Sequence, residues 1–300
     1  MILNRSVSVV IPTYKREEVL LTTIQEVLQL APPPHEIIVV DQTPLHDPAT
    51  GRALEYLSAE GKICWIRLLQ PSITHAMNVG LMKAHGDAVL FLDDDILPSP
   101  GLIASHARAH SDANIVAGQV LQPGEDALPT ENELEPPSSS AFSFRSSRRQ
   151  YVSEFMGGNF SIKRDVALQL GGFDENFVSV AYRFEAEFAA RALAAGERIL
   201  FEPHAGIHHL KAKNGGTRSF GEHLTTIRPT HSVGAYYYLF RATAVRNRLY
   251  KFVARPLRAI RTRHHLSRPW WIPATLIAEL LGFFWAAALA IRGPRLIQRQ

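Results

Sequence analysis

The feature that most constrains this chain is where its buried apolar runs stop. Val7 to Ile11 (VSVVI), Glu36 to Val40 (EIIVV) and Ala88 to Leu92 (AVLFL) are short apolar runs. The second runs into Asp41 and the third into Asp93-Asp94-Asp95. Continuous runs of this kind are the pattern of strands covered on both faces of a parallel sheet. Helical patterns from Glu17 to Leu30 and from Thr74 to Ala84 separate them, and Ile63 to Leu68 reads as a further strand. Strand alternating with helix at this spacing predicts βαβ units, and therefore an α/β fold with a mostly parallel sheet and flanking helices. In such sheets ligands bind beyond the carboxyl ends of the strands. Asp41 and the Asp93–Asp95 cluster fall there.

The 300 residues suit one large α/β domain with an appendage. The expected division is a catalytic domain over 1–240 and a basic, apolar helical tail over 241–300. From Gln122 to Arg149 the pattern dissolves into Pro, Ser, Glu and Arg, the composition of a long surface loop. Order returns at Phe155 to Ile162 as a strand, followed by a helix from Arg164 to Leu170. A second helix, Glu185 to Ala195, is stopped by Gly196, and Ile199 to Phe201 is a short strand leading to His204, His208 and His209. The single cysteine, Cys64, reads as a buried strand residue. A lone thiol fits a reducing compartment, and no secretory signal is recognisable at Met1 to Arg5, so the cytoplasmic side is expected.

Three consecutive aspartates after a buried strand are costly to hold together, because like charges at contact range raise one another's pKa. A divalent ion is the simplest remedy, and carboxylate plus diphosphate oxygens suit Mn²⁺ or Mg²⁺. The competing reading is a solvated acidic turn.

Beyond these readings, the chain resembles the family 2 glycosyltransferases, whose catalytic domain has the GT-A fold, a Rossmann-like sheet with flanking helices. The resemblance covers about residues 6 to 250. It rests on Val9-Val10-Ile11-Pro12-Thr13-Tyr14-Lys15-Arg16, Ile38-Val39-Val40-Asp41, Asn78-Val79-Gly80-Leu81 and Phe91-Leu92-Asp93-Asp94-Asp95. Gly158-Asn159-Phe160-Ser161-Ile162, Gly171-Gly172-Phe173-Asp174-Glu175 and Phe201-Glu202-Pro203 through His209-Leu210 follow in the family's order. The resemblance implies nucleotide-sugar binding at Pro12, Thr13, Tyr14, Asp41, Asn78, Asp93, Asp94, Gly158 and Asn159, with Asp41 accepting an N–H of the base. It implies metal binding by Asp93 and Asp95, with His209 near the diphosphate or metal and Asp94 turned away as a helper. A histidine that merely ends a strand is the competing role for His209. The general base falls on Glu185, with Glu187 as the alternative; residues two apart do not share a helix face, so one of them should reach the site. The chain departs from the family pattern at Phe184-Glu185, at Gln42 and at His75-Ala76-Met77.

A carboxylate that takes the proton of an attacking hydroxyl, with a metal-held leaving group, implies direct displacement with inversion. The expected function is transfer of a sugar from a nucleotide-diphosphate sugar to a hydroxyl of a glycan or lipid-linked acceptor, as in cell-surface glycan assembly. A sugar-nucleotide transferase is the rival enzyme reading, but Tyr14-Lys15-Arg16-Glu17 lacks the Gly-rich loop it would need. An inactive membrane scaffold would not need the acids. A nucleic-acid binder would need a reading module, and none is recognisable. Lys211 to Phe220 (KAKNGGTRSF) is either a lid over the donor phosphates or a solvated loop.

The tail carries the charge asymmetry. Arg241, Arg246, Arg248, Lys251, Arg255, Arg258, Arg261, Arg263 and Arg268 occur with no acidic residue among them, a surface suited to phosphates such as those of anionic lipid. Trp270 to Ile291 is then almost uninterrupted apolar sequence, about long enough to cross a bilayer. Pro273, the central Glu279, and Arg292, Arg295 and Arg299 at the far end favour a helix lying in the interface, peripheral or monotopic, over a full span. A core helix packed on the catalytic domain is the alternative.

Overall fold

A computed structural model describes residues 5–128, 142–242 and 247–298. The strands are β1 (Val7–Thr13), β2 (Glu36–Asp41), β3 (Cys64–Arg67), β4 (Ala88–Leu92), β5 (Ile96–Pro98), β6 (Ile115–Leu121), β7 (Gln150–Val152), β8 (Asn159–Lys163) and β9 (Ile199–His209). The helices are α1 (Glu18–Leu28), α2 (Pro48–Ala59), α3 (Ile73–Lys83), α4 (Leu102–Ala109), α5 (Arg164–Gln169), α6 (Phe184–Ala194), α7 (Val233–Arg241), α8 (Arg248–Ile260), α9 (Arg263–Ser267) and α10 (Ile272–Arg292). The strands form one sheet in the order β3-β2-β1-β4-β8-β6-β9-β5, with β7 also paired to β9.

The β3-β2-β1-β4 half is parallel throughout, as the βαβ pattern requires. Beyond β4 the sheet is mixed, because β8 runs antiparallel to both β4 and β6. Among the described residues no helix lies between β6 and β8, so nothing there compels a parallel return. Within β1 the side chains alternate between two apolar layers: Val7, Val9 and Ile11 face α1 and α4, while Val10 faces the side covered by α3, α6, α7 and α10. That two-sided burial explains why the run contains no polar alternation.

Local signals account for the helix starts. Asp47 caps α2, its carboxylate accepting from the N–H groups of Ala49 (2.9 Å) and Thr50 (2.8 Å), with Pro48 at the first helical position. In α1 the buried set Leu20, Thr23, Ile24 and Val27 follows the 3.6-residue period. Helices α2 and α4 and strands β5 and β6 lay outside the expected pattern, and β9 runs on through His209 instead of ending at Phe201.

One expectation needs correction. Cys64 is exposed. It begins β3, the edge strand, where one side of the ladder faces solvent. The tail packs along one face on the catalytic body. Ala286 and Leu289 of α10 belong to the same apolar cluster as Val10, Phe91 and Tyr237. The chain after α10 is sewn to the catalytic body: Ile297 N–H donates to Gly171 O (2.8 Å), Glu175 N–H to Arg295 O (3.0 Å) and Arg295 N–H to Asp174 Oδ1 (2.9 Å). Of the expected surface loop, 129–141 lie outside the described residues, as do Arg246 and Arg299.

Candidate active site

The three strand ends Thr13, Asp41 and Leu92 lie along one edge of the parallel half-sheet, and a cavity of about 650 Å³ opens beside them. Pro12, Thr13, Tyr14, Arg16, Asp93, Asp94, Asp95, Gly158, Glu185 and His209 line it. Asp93–Asp95 form the turn from β4 to β5. Register completes the cluster: Ile96 pairs with His209 across β5 and β9, and the Leu210 N–H donates to Asp95 O at 2.8 Å. His209 Nε2 therefore sits 3.3 Å from Asp95 Oδ1 and 3.5 Å from Asp93 Oδ2.

The three aspartates have separate surroundings. Asp94 is buried, accepting from Thr13 Oγ1 at 2.7 Å and Arg16 Nε at 3.1 Å. Burial pushes its pKa up to about 7, against the pull of Arg16 and Thr13. Burial opposes ionisation of Asp95 too, but His209, Arg16 and the Ala212 N–H (2.7 Å) outweigh it and hold its carboxyl below the ordinary range. Burial raises the pKa of Asp93, with Asp95 adding to it. The contact with Asp95 raises that of His209 in turn, against burial.

Ligand atoms of Asp93, Asp95 and His209 lie within 4.8 Å of one another, and Asp94 stands outside that set. Two carboxylates and an imidazole are a sound donor set for Mn²⁺. Two further features fit an ion. Both carboxylate contacts of the His209 ring are made by Nε2, which points into the donor set. A Cβ on Gly158 would lie 2.1 Å from Asp93 Oδ2, so only glycine leaves that carboxylate room.

Glu185 stands on the other side of this glycine pair. A Cβ on Gly157 would lie 3.2 Å from its Oε1. Burial raises the Glu185 pKa to about 7, with the nearby Asp93 charge adding to it. Its position is set by an aromatic layer beneath the Gly157-Gly158 turn and α6: Phe155 and Phe160 stack at 4.1 Å, and Phe173 and Phe188 lie 4.8 Å apart. Glu187 is turned into the body, paired with Arg191 at 3.0 Å, and Arg191 Nη2 donates to Gly172 O at 2.9 Å. The structure thus brings Glu185, and not Glu187, to the cavity wall. The segment leading to it holds Ser179 (φ 59°), Ala181 (φ 52°) and Arg183 (φ 77°) in the left-handed region, strain of the kind that collects at functional sites.

Three residues implied by the resemblance lie off the wall. Asp41 is fully buried, its Oδ2 held by Trp65 Nε1 (3.0 Å) and His46 Nε2 (2.8 Å) and its Oδ1 by the Thr43 N–H (2.8 Å); its neighbour Gln42 lines the cavity instead. Asn78 is buried against the Gly171-Gly172 turn, exchanging bonds with Phe173 N–H (2.8 Å) and Phe173 O (2.9 Å). Asn159 ties β8 to Gln119 O (3.0 Å) and Ala205 O (2.8 Å). Each has its polar atoms engaged by the fold.

Arg16 carries no role in the sequence reading beyond membership of the first motif. It is buried, it binds Asp94 and Asp95, and its Nη1 donates to the carbonyls of Ala212 and Asn214. It thereby clamps the Lys211 to Phe220 segment onto the cavity, where the Gly216 N–H donates to Tyr14 O (2.7 Å) and Gly216, Thr217, Arg218 and Phe220 form part of the wall.

Comparison with known proteins places this geometry in a family. Residues 8–171 match Glycosyl transferase family 2. An uncharacterized glycosyltransferase of Bacillus subtilis (strain 168), YfnE, is 30% identical over 112 residues, which are 36% of this chain and 28% of that protein. The match therefore spans just over a quarter of that relative's length. Two solved structures share the fold. A GalNAc-T7 structure with UDP, GalNAc and Mn²⁺ has a TM-score of 0.59 at 15% identity, covering 81% of this chain and 52% of that one. The mannosyltransferase PcManGT of Pyrobaculum calidifontis, in complex with GDP-Man and Mn²⁺, has a TM-score of 0.55 at 18% identity, covering 97% and 79%. The mixed sheet is that of the GT-A glycosyltransferases, and the chain belongs to glycosyl transferase family 2.

Proposed function

We propose that the chain is an inverting glycosyltransferase that takes a sugar from a nucleoside diphosphate sugar and delivers it to a hydroxyl of a glycan or lipid-linked acceptor. The observation that carries this is one cavity in which Asp93, Asp95 and His209 stand on one side of Gly157-Gly158 and Glu185 on the other. Solved relatives of the same fold hold UDP or GDP-Man with Mn²⁺, which supports a nucleotide donor and a divalent ion.

Asp93, Asp95 and His209 would hold a divalent ion, and bound there it would offset the negative charge of a departing diphosphate. The remaining work falls to the chain itself. Pro12, Thr13 and Tyr14, at the end of β1, and Gln42, at the end of β2, would receive the nucleotide. Arg16 pairs with both Asp94 and Asp95, offsetting their charge, and would keep the 211–220 segment over a bound donor as a lid. Glu185 takes the proton of the acceptor hydroxyl as its oxygen bonds to the anomeric carbon. The bond from that carbon to the diphosphate oxygen breaks with its electron pair, so the nucleoside diphosphate leaves and configuration inverts. A base with a pKa near 7 is matched to that task at neutral pH.

Association with a membrane surface, peripheral or monotopic, is part of the proposal. One face of α10 (Thr275, Ala278, Glu279, Gly282, Ala286, Leu289) is buried, and the opposite face exposes Leu276, Ile277, Leu280, Leu281, Phe284 and Trp285. The segment Pro269–Arg292 is long and apolar enough to cross a bilayer. Its docked face and its inward-turned Glu279, paired with Arg255 at 3.0 Å, favour lying against lipid.

A hydrolysis screen across nucleotide sugars with Mn²⁺ and Mg²⁺ tests the donor reading. Selective release of one nucleoside diphosphate supports it; no release from any donor with either ion contradicts it.

A further inference from the structure

A second cavity, of about 730 Å³, lies between the catalytic body and the C-terminal helices. It shares Tyr182 and Arg183 with the first, so the two adjoin at the residues that lead into Glu185. Its walls carry Arg183, Arg228, Lys251, Arg255 and Arg258 against a single carboxylate, Glu279. Arg255 is committed to that carboxylate, at 3.0 Å. Among the described residues, none of Arg183, Arg228, Lys251 and Arg258 has a carboxylate partner; Arg183 and Arg258 lie over the rings of Tyr182 and Tyr250. The cations arrive from three separate parts of the chain: the loop before α6, the segment before α7, and α8. Convergence of unpaired like charges around one concavity is unfavourable without an anion to receive them.

Resting on the glycosyltransferase reading above, we propose that this cavity binds a phosphate or diphosphate carried by the acceptor, and that the acceptor is a glycosyl phosphate or diphosphate. A sugar held by its phosphate in the second cavity would extend across the shared Tyr182-Arg183 wall and present its free hydroxyl to Glu185. Together these cations can offset the about two to three negative charges of a substituted diphosphate, and arginine reads phosphate oxygens in pairs. Arg183 itself borders both cavities, and its backbone, left-handed at φ 77°, leads directly into α6.

The test is equilibrium binding of inorganic pyrophosphate to the full-length chain in EDTA. Without a divalent ion the first cavity presents three aspartates, which disfavour an anion, so binding reports the second. The account expects saturable binding at one site, weakened roughly tenfold or more in Lys251→Ala/Arg258→Ala and, on the opposite wall, in Arg228→Gln. All three residues are exposed, so the variants should fold; thermal melts check that. Asp95→Asn should bind at least as well as the wild type. Equal binding by all variants, no binding by the wild type, or loss in Asp95→Asn alone would overturn the proposal. A long-chain alkyl diphosphate in micelles separates the sources: tighter binding than pyrophosphate supports a lipid-borne acceptor, and equal binding supports a water-soluble one. Donor hydrolysis by the wild-type chain with Mn²⁺ is measured separately, so the donor reading and the acceptor site can fail independently.

Discussion

His209 Nε2 lies 3.3 Å from Asp95 Oδ1, although 114 positions separate the two residues in a chain of 300. The β5–β9 register makes the contact, and it turns an acidic turn into a three-residue donor set. His209→Ala should therefore weaken Mn²⁺ binding by roughly tenfold or more, since ligands and their supporting groups are worth that much. Manganese titration followed by electron paramagnetic resonance reads it, and unchanged affinity would leave the histidine a purely structural role.

Glu185→Gln should reduce transfer by roughly 10²–10⁴-fold while nucleotide binding survives, because it removes the base and leaves the cavity in shape. Glu187→Gln should act differently: it breaks the pair with Arg191 beneath the Gly171-Gly172 turn, lowering the melting temperature more than the intrinsic rate. Comparing kcat and melts of the two variants separates the roles, and the reverse pattern would exchange them.

Glu185 also sets a pH dependence. Its pKa is raised to about 7, and the base must be ionised, so kcat should rise about tenfold per unit up to about pH 7 and level above it. The stability sign is opposite. A carboxyl whose folded pKa exceeds the unfolded value of 4.5 stabilises when protonated, and that contribution is lost as pH rises from 4.5 through about 7. Glu185→Gln should accordingly melt at or above the wild-type temperature at pH 8. A clear loss of stability there would contradict the burial argument.

A buried relay behind the site predicts a second pH effect. His110 Nε2 lies 2.8 Å from Ser161 Oγ, which lies 2.8 Å from His106 Nδ1, and His106 Nε2 lies 3.0 Å from Asn159 Oδ1. Burial lowers the pKa of His106 to about 4 and that of His110 to about 3. Groups depressed from 6.5 contribute stability that is full above 6.5 and lost as pH falls toward those values. Glu185 and Asp94 change in the opposite direction over part of this range, so the wild-type curve alone is not diagnostic. The difference between wild type and His110→Gln is: His110→Gln should be the less stable at pH 7.5, and the gap should narrow toward pH 4.5. A constant gap in the melts would mean that the histidine binds its proton equally well folded and unfolded, and would contradict the burial argument.

The tail yields a paired prediction. Removing residues 270–300 should destabilise the catalytic body, because the strap to Gly171 and Asp174 and the buried face of α10 go with it. Leu280→Gln/Phe284→Gln alters only the outer face, where these side chains are 57% and 61% exposed. That variant should keep its melting temperature and lose sedimentation with anionic vesicles. Unchanged vesicle binding, or a collapse of the melt, would assign the face to something other than lipid.

How far the sequence reads can be judged from the same residues. Strand runs ending in acids located the sheet edge and the Asp93–Asp95 turn, since two-sided burial and strand-end charge are local signals. Helix geometry alone indicated that Glu185 and Glu187 would part ways. Arg16 was not legible as a hub, because its partners Asp94, Ala212 and Asn214 lie far along the chain and only folding brings them together. Asp41, Asn78 and Asn159 show the converse. Their motifs are intact, yet their polar atoms are taken by Trp65, Phe173 and Ala205, partners that no spacing reveals. Which face of α10 docks was not legible for the same reason, since small residues such as Gly282 and Ala286 carry no signature of what covers them.

The central claim is that the Asp93, Asp95 and His209 set drives donor turnover through a divalent ion. Its most direct test is nucleoside diphosphate release from a nucleotide sugar, measured side by side for wild type and Asp95→Asn, each in Mn²⁺ and in excess EDTA. The account predicts release by wild type in Mn²⁺ alone, with Asp95→Asn folded but inactive in both conditions. Release that persists in EDTA, full activity in Asp95→Asn, or formation of a nucleoside triphosphate from the donor and pyrophosphate in place of transfer would contradict it.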